Sequence, residues 1–204
     1  MSELTVDDVD PERIDVGDGV RMPTGWRATG KGEPGTRGSI HVRAVYDQQL
    51  RRSVAASVRA DRSGEGDEVT AASLRDVSVL QIVQRSALRV VTVQRGATEP
   101  TSLSEYLADI RAHAPDRDLG ETVLEAVRLY RIATTVNIAP LKLVSDQLGV
   151  SVSTATRMMA RAREAGLAED LITRETYNRM RADEVRRTRP YRPPGSPSGP
   201  SIGL

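Results

Sequence analysis

The chain has 204 residues, with 29 Lys and Arg against 28 Asp and Glu, a formal net charge of +1 and no Cys. That length suits one or two small domains, and the lack of Cys excludes disulfides, thiol catalysis and cysteine-ligated zinc. With no Phe, one Trp and five Tyr, the chain lacks the aromatic platform on which single-stranded nucleic acid usually stacks, so its core must be built from Val, Leu, Ile, Ala and Met.

The near-neutral total hides an acidic head. Residues 1–20 hold seven acids and one arginine. Residues 1–19 are therefore expected to be a disordered leader, or an acidic arm that competes for a basic face. From Val20 to Gly38 the chain is rich in Gly and Pro, with Trp26 as its large anchor, and reads as loops with at most one short strand. Within it Gly25, Gly30 and Lys31 have the spacing of a phosphate-binding loop. Gly32 stands where magnesium needs Ser or Thr, and Glu33-Pro34-Gly35 cannot open the required helix.

Ile40 to Tyr46 alternates apolar and polar residues, Val54 to Ala60 is compatible with a strand, and Asp47 to Arg52 can turn the chain between them, so a hairpin is predicted. Leu74, Val77 and Leu80 follow helical spacing over about 71–85. The β-branched run Val90 to Val93 either continues that helix or forms a strand. Together, residues 20–95 read as a small β-hairpin and helix unit.

A helical domain is predicted over 100–188. Ser102 with Glu105, and Asp118 with Glu121, each have the spacing of a capping box. The second box opens a helix with Val123, Ala126, Val127 and Tyr130 on one face. Pro140 suits the first turn of the next helix. A basic helix is expected over about 170–188, and the Pro, Gly and Ser-rich tail 189–204 is expected to be disordered.

The most specific segment runs from Val144 to Met159, VSDQLGVSVSTATRMM. Val144 and Leu148 share a helix face. Gly149 stands where a helix end takes up a left-handed conformation, and Ser151 can cap a second helix. Ala155, Met158 and Ala162 then fall on a stripe that can pack back on the first helix. Ser153, Thr154, Thr156, Arg157 and Arg161 are left to face a ligand, and short hydroxyls and arginines suit phosphates and base edges.

This segment resembles the helix-turn-helix of bacterial repressors. In its Gly149, Val150, Ser151, Thr154 and Arg157 it is similar to the lactose-repressor family. The resemblance implies that Val152, Ser153 and Arg157 contact bases and that Ser151 and Thr154 lie near phosphates. Ser145 stands where that family has alanine, so its hydroxyl needs a partner. Thr156 is a further candidate reader, and Arg161 and Arg163 are candidates to neutralise phosphate.

The expected fold class is α+β, mainly α: a small N-terminal β-hairpin and helix unit, then a helical domain with a helix-turn-helix at about 140–165, between disordered termini. The expected function is sequence-specific binding of double-stranded DNA as a homodimeric transcriptional regulator. A packaging or partition factor of a phage or mobile element is an alternative, as is a protein-interaction module. His41 and His113 lie on different elements, and no nucleophile–base set or metal cluster can be proposed from spacing. No catalytic residue, metal or cofactor is expected, and no effector is indicated. No apolar run is long enough for a signal or a membrane span, so a cytoplasmic protein without a membrane partner is expected.

Overall fold

Alternation at the start of the chain builds the first strands. In the computed structural model, which describes residues 3–34, 37–114, 117–171 and Arg179, Glu3–Asp7 forms β1 and Arg13–Gly17 forms β2. Leu4 is buried in β1 between outward Glu3 and Thr5. The expected disordered leader is thus overturned. Some of its acids are held by arginines of the body: Asp10 takes a two-pronged contact from Arg43 Nη2 at 2.8 and 2.9 Å, and Asp8 pairs with Arg27 at 3.2 Å. Composition overstated the repulsion because the compensating cations lie far along the sequence.

The Gly- and Pro-rich stretch is also more ordered than expected, forming β3 (Val20–Pro23) and β4 (Gly25–Lys31). Residues 25–31, the phosphate-loop near-match, are therefore extended strand. The predicted hairpin forms as β5 (Ser39–Asp47) and β6 (Arg52–Asp61). Its turn is fixed by Asp47, whose Oδ1 accepts from the backbone N–H of Gln49 at 2.9 Å and of Leu50 at 2.8 Å, as Asx turns do.

The four strands β1-β4-β5-β6 make one antiparallel sheet. Its register sets Trp26 opposite Ala44, Ala28 opposite Val42 and Gly30 opposite Ile40, which places the apolar set on one face. That face is covered by α2 (Val79–Val90), through Ile82, Val83, Ala87 and Val90. Trp26 is fully buried, and its indole N–H donates to Ser86 Oγ at 2.9 Å. On the opposite face His41 sits among Thr29, Ser39 and Asp61 at 3.0 to 3.2 Å, a satisfied surface histidine.

The single helix expected over 71–85 is two. The first, α1 (Ala71–Asp76), ends where Val77 turns extended and buries its side chain. Ser78 then caps α2, accepting from Gln81 N–H at 3.4 Å. The ambiguous run at Val90 also divides: α2 stops at Val90, and Thr92–Val93 forms β7 because β3 offers a free edge, with Val20 opposite Val93. With β8 (Thr101–Ser102) this gives a second antiparallel sheet, in the order β2-β3-β7-β8.

Both predicted capping boxes are present. They open α3 (Leu103–Ala112) and α4 (Leu119–Thr135). Helices α5 (Pro140–Leu148) and α6 (Val152–Glu164) follow. The expectation of a mainly α protein with one small hairpin is thus corrected. The described residues hold six helices and two four-stranded sheets, about 27% strand and 42% helix, a mixed α/β fold. No helix among them is long and apolar enough to cross a membrane.

Residues 1–170 form one compact unit, and the chain from Leu171 onward is assigned to another. The basic helix expected over 170–188, apart from its first two residues and Arg179, and the tail 189–204 lie outside the described residues.

Helix α4 is the spine of the first unit. Val123, Ala126, Val127 and Tyr130 are buried, as their spacing predicts, and so are Leu129, Ile132 and Ala133. A helix buried nearly all round must touch elements on several sides. It contacts α5 and α6, and also β2, β3 and β6.

Candidate nucleic-acid interface

The α5–turn–α6 hairpin forms as its sequence predicts. Pro140 occupies the first turn of α5. Gly149 adopts the left-handed conformation at φ 66°, and its N–H donates to the Ser145 carbonyl. The Ser145 hydroxyl, for which the sequence offered no partner, donates to the Val150 carbonyl at 2.6 Å. A serine where the repressor pattern has alanine thus closes the turn with a bond alanine cannot make.

Ser151 caps α6, its Oγ accepting from Thr154 N–H at 3.1 Å. That Oγ also lies 2.8 Å from Ser153 Oγ and 2.9 Å from Thr154 Oγ1. The inward stripe is Ala155, Met159 and Ala162, all buried. The sequence had placed Met158 there. Met158 is only half-buried, because the α4 and α5 surfaces take the i, i+4, i+7 row instead of i, i+3, i+7.

Opposite that stripe, Ser153, Arg157 and Ala160 form the outward ridge at i, i+4 and i+7, flanked by Thr156 and Arg161, and all five are exposed. Val152 is 49% exposed at the start of the helix. Thr154 is half-buried, and its Oγ1 accepts from Arg157 Nη2 at 3.3 Å. Thr156 Oγ1 donates back to the Val152 carbonyl at 2.9 Å, leaving its lone pairs outward. Arg163 is half-buried with an enclosed Nε that lacks a partner among the described residues, so it is less available than Arg157 or Arg161. Of the eight residues singled out from the sequence, Ser151, Val152, Ser153, Thr156, Arg157 and Arg161 are exposed together on α6 and its cap. Thr154 and Arg163 turn partly inward.

The helix offers cations and hydroxyls and no acid before Glu164, in its last turn. On α5, Lys142 pairs with Asp146 at 2.9 Å and remains exposed.

Sequence reasoning missed what holds the hairpin in place. Arg131, 8% exposed on α4, donates from Nε to Asp18 at 2.6 Å, from Nη1 to the Val16 carbonyl at 2.8 Å, and from both Nη atoms to Asp170 at 2.7 and 2.9 Å. It joins the β2–β3 turn to the residues just beyond α6. Gly17 suits this junction because its backbone sits at φ 102°, which L side chains rarely adopt, and because a Cβ there would press on the Arg131 guanidinium. The available signal was an arginine inside the apolar run LYRIATT.

Among the described residues no group of His, Asp and Glu is arranged to hold a metal ion. No protein-family model matches the chain, and neither does any curated protein or solved structure.

Proposed function

We propose that this chain is a sequence-specific double-stranded DNA-binding protein, a transcriptional regulator that docks α6 in the major groove. The observation that carries the proposal is the outward ridge of α6. Ser153, Arg157 and Ala160, flanked by Thr156 and Arg161, are exposed on a helix whose opposite face is locked into the α4–α5 core. Arg157 is the principal reader, since a guanidinium can bond two acceptors of a guanine edge at once. Ser153 and Thr156 are secondary readers, Ala160 leaves room for close approach, and Arg161 neutralises phosphate.

One such helix reads only a few base pairs, so useful specificity calls for a dimer on paired half-sites. The test begins by selecting bound sequences from a random DNA pool, then measuring a gel shift on the selected site. Arg157→Ala should abolish the shift at moderate salt while leaving the circular dichroism spectrum unchanged. Selection of no sequence at low salt would remove the proposal and favour a protein-binding role for the same hairpin.

A further inference from the structure

A cleft of about 520 Å3 opens beside α3 and α4, within the size range of small-molecule sites. Its floor is organised around Glu125, which is 8% exposed. Glu125 accepts from the Tyr106 hydroxyl and from Arg128 Nη1 at 2.8 Å, and pairs with Arg95 Nη2 at 3.0 Å. Burial pushes the Tyr106 phenol well above its ordinary range, and the Glu125 charge adds to the effect, so Tyr106 stays a donor. The Arg95 guanidinium also lies over the Tyr106 ring, 4.8 Å from its centre.

Three carboxylates line the cleft: Glu125 and Asp109 are engaged by arginines of the fold, and exposed Glu121 accepts the Asp118 N–H through Oε2 at 3.3 Å. Besides the bonds to Glu125, Asp109 accepts from Arg95 and lies 3.0 Å from His113 Nδ1. The guanidiniums are less fully matched, because each carries five N–H donors. Arg117 donates Nη2 to the Ile110 carbonyl at 2.6 Å and makes no ion-pair contact among the described residues, although its charge helps to hold the Asp109 carboxyl down. Leu124, 46% exposed, supplies an apolar wall beside these donors.

We propose that this cleft binds a small organic anion, a carboxylate or phosphate ester with a short apolar portion. Its oxyanion sits on Arg117 and on the Arg95 and Arg128 guanidiniums that line the cleft, and its apolar portion lies on Leu124. The site can also signal. Helix α3 carries Asp109 into the cleft, and two residues on, Arg111 Nη2 donates to Gln147 of α5 at 2.7 Å. An anion that draws Arg95 from Asp109 therefore acts on the helix that abuts the hairpin. This coupling to DNA rests on the function proposed above, whereas the binding itself does not.

The full chain, without DNA, is titrated with butyrate, with inorganic phosphate and with tetramethylammonium, following the arginine side-chain resonances by NMR. Saturable shifts of Arg95, Arg117 and Arg128 with one or both anions, and none with tetramethylammonium, are expected; the two anions distinguish a carboxylate from a phosphate site. Leu124→Glu, an exposed change that places a negative charge at the mouth, should weaken binding at least tenfold with an unchanged melting temperature. Arg117→Gln should do the same. Absence of saturable shifts with both anions at tens of millimolar, or equal affinity in Leu124→Glu, overturns the proposal. A chain that binds the anion but no DNA keeps the cleft and removes the DNA reading; one that binds DNA but no anion does the reverse.

Discussion

Arg131 of α4 and Asp170, six residues beyond the end of α6, form a two-pronged ion pair with contacts of 2.7 and 2.9 Å. The Arg131 side chain is nearly enclosed, at 9% exposed, while the Asp170 side chain is 55% exposed. The two partners therefore differ in what their loss should do.

Arg131→Met removes three sets of bonds and leaves Asp18, Asp170 and the Val16 carbonyl without their donor. Breaking a buried pair by removing one partner costs roughly 3–5 kcal/mol. Both aspartates here are partly solvated, so a loss of about 2–3 kcal/mol is expected, read as a lower urea midpoint. Asp170→Asn keeps the shape and removes a largely solvated charge, and should cost about 1 kcal/mol or less. Equal losses for the two variants would show that enclosure of Arg131 does not set the energetics.

Acid should destabilise the fold through its paired carboxylates. The Arg131 hydrogen bonds hold the Asp170 carboxyl below its usual value of 3.8, and Arg95 does the same for Asp109. A carboxyl depressed in the folded state contributes stability above its unfolded value, and that contribution is lost as pH falls through the folded value. Stability should therefore be nearly level from neutral pH to about pH 5, then fall below about pH 4. Urea melts at a series of pH values check this, and Asp170→Asn should fall less steeply than the parent chain.

Gly149 takes the left-handed conformation with open space around a built Cβ, so substitution there meets a backbone penalty and no clash. Gly149→Ala should cost about 1 kcal/mol, lowering Tm by roughly 2–4 °C for a domain of this size. Gly149→Asn should cost less, since Asn visits this region more readily. Unchanged melting in the alanine variant would mean that the turn relaxes to another geometry.

The roles proposed along α6 separate by salt dependence. Arg161→Ala should weaken DNA binding about equally for all sequences and reduce the salt slope by about 1. Arg157→Ala should relax preference at one base position by about 1–3 kcal/mol. Equal loss of specificity in both variants would show that the two arginines share one role.

The α5–turn–α6 hairpin was legible because its signals are local. Pro140, Gly149 and Ser151 act within one or two turns, and each sits where its own backbone chemistry predicts. The two capping boxes were legible for the same reason. The sheets were harder. Leu4 between Glu3 and Thr5 has strand alternation, yet the seven acids of residues 1–20 outweighed it, because the pairing of Asp8 and Asp10 with Arg27 and Arg43 forms only on folding. Met159 took the core position expected of Met158 because helical spacing fixes a stripe only to within one residue at its edge, and the neighbouring helices choose the row. The cleft was invisible in part because Arg95 lies on a loop after β7 and Arg117 just before the cap of α4, although Glu121, Leu124 and Arg128 keep helical spacing along α4.

The sequence by itself determined the β5–β6 hairpin, the caps of α3, α4 and α6, and the turn between α5 and α6, since each depends on residues a few positions apart. Only the tertiary structure decided that the acidic head becomes strands, that Val90 to Val93 leaves the helix to pair with β3, and that Arg131 ties residues 18 and 170 together. Those outcomes depend on partners brought close by folding, and the energy of such contacts is set by burial and geometry that no local pattern records.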